Sequence, residues 1–265
     1  MNNSYHSILP FLPDRTTKPR LSGIAMVMDK GLSVREAEDF VESAGHLADF
    51  VKLGFGTSLV GNKVREKVKV YRQANIKVYV GGTLFEAFLV RNRFDDYLKY
   101  IDNLGLDTIE VSDGSIILEH EIKCEYIRKL SEQYTVLSEV GSKESGMIIA
   151  PGRWIEMMQN ELQAGAFKVI GEAREGGNVG IYRPTGKAHT VLINKILAKV
   201  PGDLILWEAP LKSQQVWFIQ HFGANVNLGN IAPAELIPLE TLRLGLRGDT
   251  FFSFLPADFS KFQPK

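Results

Sequence analysis

Along the chain, short runs of apolar, strand-prone residues alternate with longer stretches in which apolar residues recur at every third or fourth position. The runs occupy 23–29, 50–54, 77–82, 108–113, 135–141, 168–173, 204–209 and 226–231. Most follow Gly, Asp or Asn punctuation, and stretches such as 33–44, 94–104 and 151–164 place charges between their apolar steps, as helices on an outer ring do. Eight successive units of strand, loop, helix and return loop predict an α/β fold, a (β/α)8 TIM barrel. The barrel is expected as a single domain over 1–265, with 1–22 as an N-terminal extension. A doubly wound open sheet is the rival, but it ordinarily uses fewer strands, and no Gly-x-Gly-x-x-Gly turn follows the first strand. After the last strand, 233–237 reads as a short extra helix and 238–246 as a longer one.

In a parallel barrel the chemistry gathers at the carboxyl ends of the strands, so polar residues that close an apolar strand are candidates. Nearly every run ends this way: Asp29-Lys30-Gly31, Lys52 before Gly54-Phe55-Gly56-Thr57-Ser58, Gly81-Gly82-Thr83-Leu84-Phe85-Glu86, then Glu110, Ser112 and Asp113, then Ser138, Glu139 and Lys143, then Glu172-Ala173-Arg174-Glu175, then Glu208, and Asn225-Val226-Asn227-Leu228-Gly229-Asn230. Glu139, Glu172 and Glu208 fall late on three consecutive strands, where unpaired carboxylates would repel one another. Two readings resolve that repulsion. The acids hold a divalent cation such as Mg2+, which takes oxygen ligands and shares its shell with phosphorylated substrates, or they pair with Lys52, Lys143 and Arg174 in a buried ion network. Glu110 and Asp113 are further possible ligands, although Asp113-Gly114 is also an ordinary turn pair.

Lys52 sits inside the run Phe50-Val51-Lys52-Leu53. Pointing inward, it must find an anion; pointing outward, it snorkels between helices. The loop with Gly56 and Thr57 that follows offers backbone N–H groups to an anion. Arg174 can clamp an oxyanion bidentately or pair with Glu172 or Glu175. Asn227, Gly229 and Asn230, ahead of the short extra helix, are either a phosphate-binding turn or a tight connection. Lys30 and Ser112, at the same rim, complete the candidate substrate contacts.

Composition narrows the classes. With 31 basic and 31 acidic residues the chain carries no formal net charge, so no global field recruits nucleic acid or an acidic membrane surface. At 45% hydrophobic and 23% charged it has the balance of an ordinary globular protein. The lone Cys124 forms no internal disulfide, and its place in a helical stretch makes it a poor nucleophile candidate. No secretory signal or membrane-length apolar run is present in the sequence, which leads to the expectation of a soluble, cytoplasmic protein. His6, His46, His120, His189 and His221 show no metal spacing, and Trp154, Trp207 and Trp217 read as core residues.

Nine phrases then resemble the phosphosulfolactate synthase family in order. They are Met28-Asp29-Lys30-Gly31, Val51-Lys52-Leu53-Gly54-Phe55-Gly56-Thr57-Ser58, Gly81-Gly82-Thr83-Leu84-Phe85-Glu86, Ile109-Glu110-Val111-Ser112-Asp113-Gly114, Ser138-Glu139-Val140-Gly141, Glu172-Ala173-Arg174-Glu175, Trp207-Glu208-Ala209-Pro210, Asn225-Val226-Asn227-Leu228-Gly229-Asn230 and Leu246-Arg247-Gly248-Asp249-Thr250. The resemblance spans 18–252. It implies a (β/α)8 barrel, a lyase, and Mg2+-dependent addition of sulfite to phosphoenolpyruvate giving 2-phospho-3-sulfolactate, an early step toward coenzyme M. On that resemblance, Lys143 is the proton donor, Lys52 and Arg174 hold the phosphate and sulfite charges, and Glu139, Glu172 and Glu208 arrange the metal. A homo-oligomer without nucleic-acid or membrane partners is expected. One departure stands out: Ser142-Lys143 occupies the place where the family resemblance leads one to expect adjacent lysines. Arg247 follows the last helix, which should return to the other barrel face, and is left outside the catalytic set. The alternatives are a metal-dependent lyase or isomerase acting on another phosphorylated carboxylate, and a non-catalytic, stress-associated barrel.

Overall fold

A computed structural model describes residues 8–141, 149–173 and 176–263. The eight expected runs all form parallel strands: β1 (Ala25–Asp29), β2 (Phe50–Leu53), β3 (Lys77–Val80), β4 (Thr108–Val111), β5 (Thr135–Val140), β6 (Lys168–Gly171), β7 (Ile205–Glu208) and β8 (Leu228–Ile231). They are hydrogen-bonded in the order β3-β2-β1-β8-β7-β6-β5-β4. The two end strands, β3 and β4, lie side by side without a ladder between them, so the cylinder closes except for one seam. Helices α1 (Val34–Ala44), α2 (Thr57–Val60), α3 (Val64–Gln73), α4 (Gly82–Leu89), α5 (Phe94–Leu104), α6 (His120–Ser131), α7 (Pro151–Gln163), α8 (Thr190–Leu197), α9 (Lys212–Phe222) and α10 (Leu236–Arg243) fill the connections.

The strands are apolar on both faces because both are covered. Inward residues Ile24, Met26, Phe50, Tyr79, Leu137, Ile170 and Leu206 form one cluster inside the cylinder. Outward residues such as Val51, Val78, Ile109, Val136, Val169 and Trp207 belong to a second cluster shared with the helices. Side chains two positions apart on a strand share a face. Lys52, Glu139 and Glu208 therefore stand one step beyond Phe50, Leu137 and Leu206 on the inner surface, nearer the carboxyl ends.

The helix boundaries follow local chemistry. Ser33 caps α1 in a reciprocal box with Glu36, accepting from the Glu36 N–H while the Glu36 carboxylate accepts from the Ser33 N–H. Helix α5 ends on Gly105 in the left-handed conformation, φ 71°. The last helix departs from expectation. A 3-10 turn covers Pro233–Glu235 and α10 runs from Leu236 to Arg243, so Pro238 lies inside the first turn instead of opening the helix. A proline is tolerated there because first-turn N–H groups have no intrahelical acceptor.

The amino-terminal end of the barrel is plugged by polar side chains. The Lys168 ammonium donates to the carbonyls of Leu21 and Asp203 at 2.9 and 2.6 Å. Arg243, fully buried, donates to the carbonyls of Ala224, Val226 and Ile24. Arg15, from the segment ahead of β1, pairs with Glu240 at 2.8 Å and so lashes that segment to α10.

Candidate active site

Five charged side chains from five strands meet at the carboxyl end of the barrel. Lys52 on β2, Glu110 on β4, Glu139 on β5, Glu172 just past β6 and Glu208 on β7 are all buried, none more than 7% exposed. The Lys52 ammonium lies 3.0 Å from Glu110 Oε2, 3.4 Å from Glu208 Oε1 and 3.6 Å from Glu139 Oε2. One carboxylate oxygen from each of Glu139, Glu172 and Glu208 lies within 4.8 Å of the other two. The sequence offered two readings of these acids, and the geometry contains parts of both: a lysine pairs with them, and three of them converge. Lys52 is thereby drawn to the acids. Burial opposes its charge, but Glu110, Glu208 and Glu139 outweigh burial and hold it protonated well above the ordinary lysine range. Glu208 moves the other way. Burial first, and Glu139 after it, raise its carboxyl to about 7 in spite of Lys52.

Strand and loop backbone hold the ring in place. Glu208 Oε2 accepts the Ala173 N–H at 2.9 Å, and its carbonyl accepts the Tyr182 hydroxyl at 2.6 Å. Tyr182 belongs to the stretch 176–189, which folds back as a small hairpin and is tied to α9 by Gln214, whose amide donates to the carbonyls of Gly177 and Gly186. Gly180, at φ 60°, lets this stretch press on Glu172, since a Cβ there would lie 2.0 Å from the Glu172 carbonyl oxygen. Across the seam, Glu110 Oε1 accepts the Gly82 N–H at 2.6 Å, and the Ser112 hydroxyl donates to Glu86. Side chains thus replace the missing ladder between β3 and β4. Gly82 permits that approach, because a Cβ would meet Ser112 Oγ at 2.4 Å.

Behind β5 lies a second buried ionic cluster. Lys123 of α6 donates to the Glu139 carbonyl at 2.6 Å and pairs with Glu161 of α7 and with Asp113, both at 3.0 Å. The Ser138 hydroxyl donates to Glu161 at 2.6 Å. Asp113, considered as a ligand from sequence, is therefore turned away from the ring and toward Lys123. Burial raises its carboxyl despite that lysine.

The remaining expected site residues separate. Lys143 and Arg174 lie outside the described residues. Lys30 is exposed, with its ammonium 5.8 Å from the Phe55 ring centre. Gly56, at φ 66°, and Thr57, whose hydroxyl donates to the Gly54 carbonyl, shape the turn after β2. Ser112 is committed to Glu86. Gly229 stands opposite Glu208 in register, and a Cβ there would meet Met26 Cε at 2.7 Å. Asn230 is buried at φ 56°, with its Oδ1 lacking a hydrogen-bond partner among the described residues. Asn227 requires a correction. It sits ahead of β8, at the opposite end of the barrel, where its amide donates to the carbonyls of Asp203 and Ile205 and its Oδ1 accepts the Ile24 N–H. Its polar groups are spent on closing that end. Lys123 and Glu161 were missed, because charges in a helical stretch look like a solvated face.

The donor set suits a hard divalent cation. The carboxylate oxygens that Glu139, Glu172 and Glu208 bring together are hard donors of the kind Mg2+ takes. Glu139, Glu172 and Glu208 would hold it.

Comparison with known proteins identifies the chain's relatives. The model of the (2R)-phospho-3-sulfolactate synthase (ComA) family matches residues 13–249. A phosphosulfolactate synthase from Methanothermobacter thermautotrophicus is 43% identical over 244 residues, covering 90% of this chain and 95% of its own. One from Bacillus subtilis is 38% identical over 244 residues, covering 91% and 97%. Among solved structures, 3-hexulose-6-phosphate synthase from Salmonella typhimurium superposes with TM-score 0.51 at 15% identity, covering 83% of this chain and 98% of that one, which speaks to the barrel fold alone.

Proposed function

The chain belongs to the phosphosulfolactate synthase family of lyase-type enzymes, and we propose that its barrel mouth adds sulfite to phosphoenolpyruvate to give 2-phospho-3-sulfolactate. The observation that carries this reading is the buried ring in which Lys52 faces Glu110, Glu139 and Glu208, with Glu172 alongside. Such a ring concentrates charge where a carboxylate and a phosphate would have to be held.

In the proposed step the sulfur lone pair forms a bond to C3 and the C2=C3 double bond is consumed. Its electron pair moves toward the substrate carboxylate, and one proton is then delivered to C2. The phosphate ester stays on C2 throughout. A Mg2+ ion held by Glu139, Glu172 and Glu208 would supply positive charge for the substrate carboxylate as that charge develops. Lys143 is proposed as the proton donor to C2 and Arg174 as the clamp on an oxyanion. Lys52, held protonated by its three acids, keeps the ring ordered and presents a cation to the incoming anions. Tyr182 and Gln214 fix the stretch 176–189 over Glu172 and Glu208, which limits how far those carboxylates can turn.

Incubation of the protein with phosphoenolpyruvate, sulfite and Mg2+, followed by mass spectrometry, should reveal the adduct, and chelation of the metal should abolish it. A folded protein that yields no adduct under these conditions would overturn the proposal.

A further inference from the structure

Tyr79 of β3 is the register partner of Lys52 and points into the barrel, where it is fully buried and packs edge-on against Phe50 with ring centres 6.3 Å apart. Its hydroxyl has no hydrogen-bond partner among the described residues. The charged groups that bear on that hydroxyl are Glu110, Lys52, Glu208 and Glu139. Paired in register with Lys52, the cation of the ring, and packed within the inner apolar cluster, Tyr79 stands on the inner face between that cluster and the ring. Burial keeps the phenol protonated far above neutral pH, so it remains a donor whatever the state of the acids. A buried hydroxyl without a partner is costly and uncommon in folded proteins, and a phenylalanine would fill the same apolar slot without that cost. Two features thus occur together on the inner face: a donor without an acceptor among the described residues, and acids that could hold a cation or receive an anionic substrate.

We propose that the Tyr79 hydroxyl donates a hydrogen bond to an oxygen of the species bound inside the carboxylate ring, either a metal-held water or a substrate oxyanion, and positions it. Tyr79 is on this view a positioning residue for the site. The inference rests on the reading that the ring binds a cation and an anionic substrate. Outer hydrogen bonds to metal-bound groups commonly change affinity by about 10- to 100-fold.

Tyr79→Phe removes one oxygen and leaves the ring. Its metal-free melting temperature should equal or exceed that of the wild type, since no hydrogen bond among the described residues is lost. If the contact is to a metal-held water, calorimetric titration with Mn2+ should show about tenfold weaker binding. If it is to substrate, Mn2+ affinity stays unchanged while titration with phosphoenolpyruvate weakens and its KM rises about tenfold. A variant within twofold of the wild type in both titrations and in kcat/KM overturns the role of Tyr79 while leaving the ring's function standing. A variant that melts several degrees lower with unaltered binding overturns it too, in favour of a packing role. Wild-type protein that binds neither Mn2+ nor phosphoenolpyruvate overturns the reading of the ring and this inference together. Wild-type binding of phosphoenolpyruvate without Mn2+ removes only the metal, and the substrate titration then decides.

Discussion

Lys52 is the point on which three carboxylates converge, each approaching its ammonium within 3.6 Å in a buried place. Removing one partner from a buried ion cluster leaves uncompensated charge and costs about 3–5 kcal/mol. Lys52→Met, close in volume but uncharged, should therefore lower the melting temperature of metal-free protein at pH 8 on the order of 10 °C. The loss should shrink at pH 5.5, where Glu208, raised to about 7, carries a proton. A drop of less than about 2 °C at pH 8 would mean that the acids find their compensation elsewhere. From sequence, an inward Lys52 is favoured over one snorkelling outward because the loop with Gly54, Gly56 and Thr57 that follows offers backbone N–H groups to an anion. Asn227 was misread. Polar residues flank β8 on both sides, and only the coordinates show that Asn227 precedes the strand and so belongs to the closed end.

Strands were the most legible elements, because eight apolar runs buried on both faces leave a strong mark on the chain and their order follows from the barrel. Helix α5 coincides with its expected range of 94–104, while α10 begins two residues before Pro238, since periodicity alone does not say on which side of a first-turn proline the helix opens. The seam between β3 and β4 was not legible. It is closed by Glu110, Gly82, Ser112 and Glu86, contacts between units that no local spacing encodes. The stretch 176–189 is similar: its position over Glu172 depends on Gly180, whose positive φ and lack of a Cβ permit an approach that sequence marks only as one glycine among several. Gly180→Ala should lift this stretch from Glu172 and break the Tyr182 contact to Glu208. A displacement on the order of 1 Å at the site would reduce kcat/KM by about 100-fold, with a small change in melting temperature because the barrel is untouched. If kcat/KM for sulfite addition stays within about twofold of the wild type, the stretch does not set the geometry of the acids.

Taken as a whole, the molecule places its polar burials at opposite ends with opposite consequences. At the amino-terminal end, Lys168, Asn227 and Arg243 donate to backbone carbonyls, which ties the strands and their loops together there. At the carboxyl end, burial and Glu139 raise Glu208, and Glu139, Glu172 and Glu208 converge, so stability should respond to pH and to divalent metal. The folded protein holds the Glu208 proton up to about 7, whereas the unfolded chain releases it near 4.5, so the folded form binds more protons across that interval. Stability of the metal-free protein must then fall as pH rises from about 4.5 to about 7 and change little from this source above it. Asp113, also raised, adds in the same sense. Glu161 and Glu240 are held below the ordinary range, and their contribution is lost only as pH falls through those lower values, outside this window. The raised pKa of Lys52 keeps its contribution intact throughout the window and withdraws it only in strong alkali. A cation that binds the ionised acids reverses the trend, because it stabilises only the folded form. Scanning calorimetry should show a lower melting temperature at pH 8 than at pH 5.5 without metal, by a few degrees, on the order of 5 °C. Millimolar Mg2+ should raise it more at pH 8 than at pH 5.5. A Mg2+ effect equal at both values would mean that the ion binds somewhere other than among Glu139, Glu172 and Glu208.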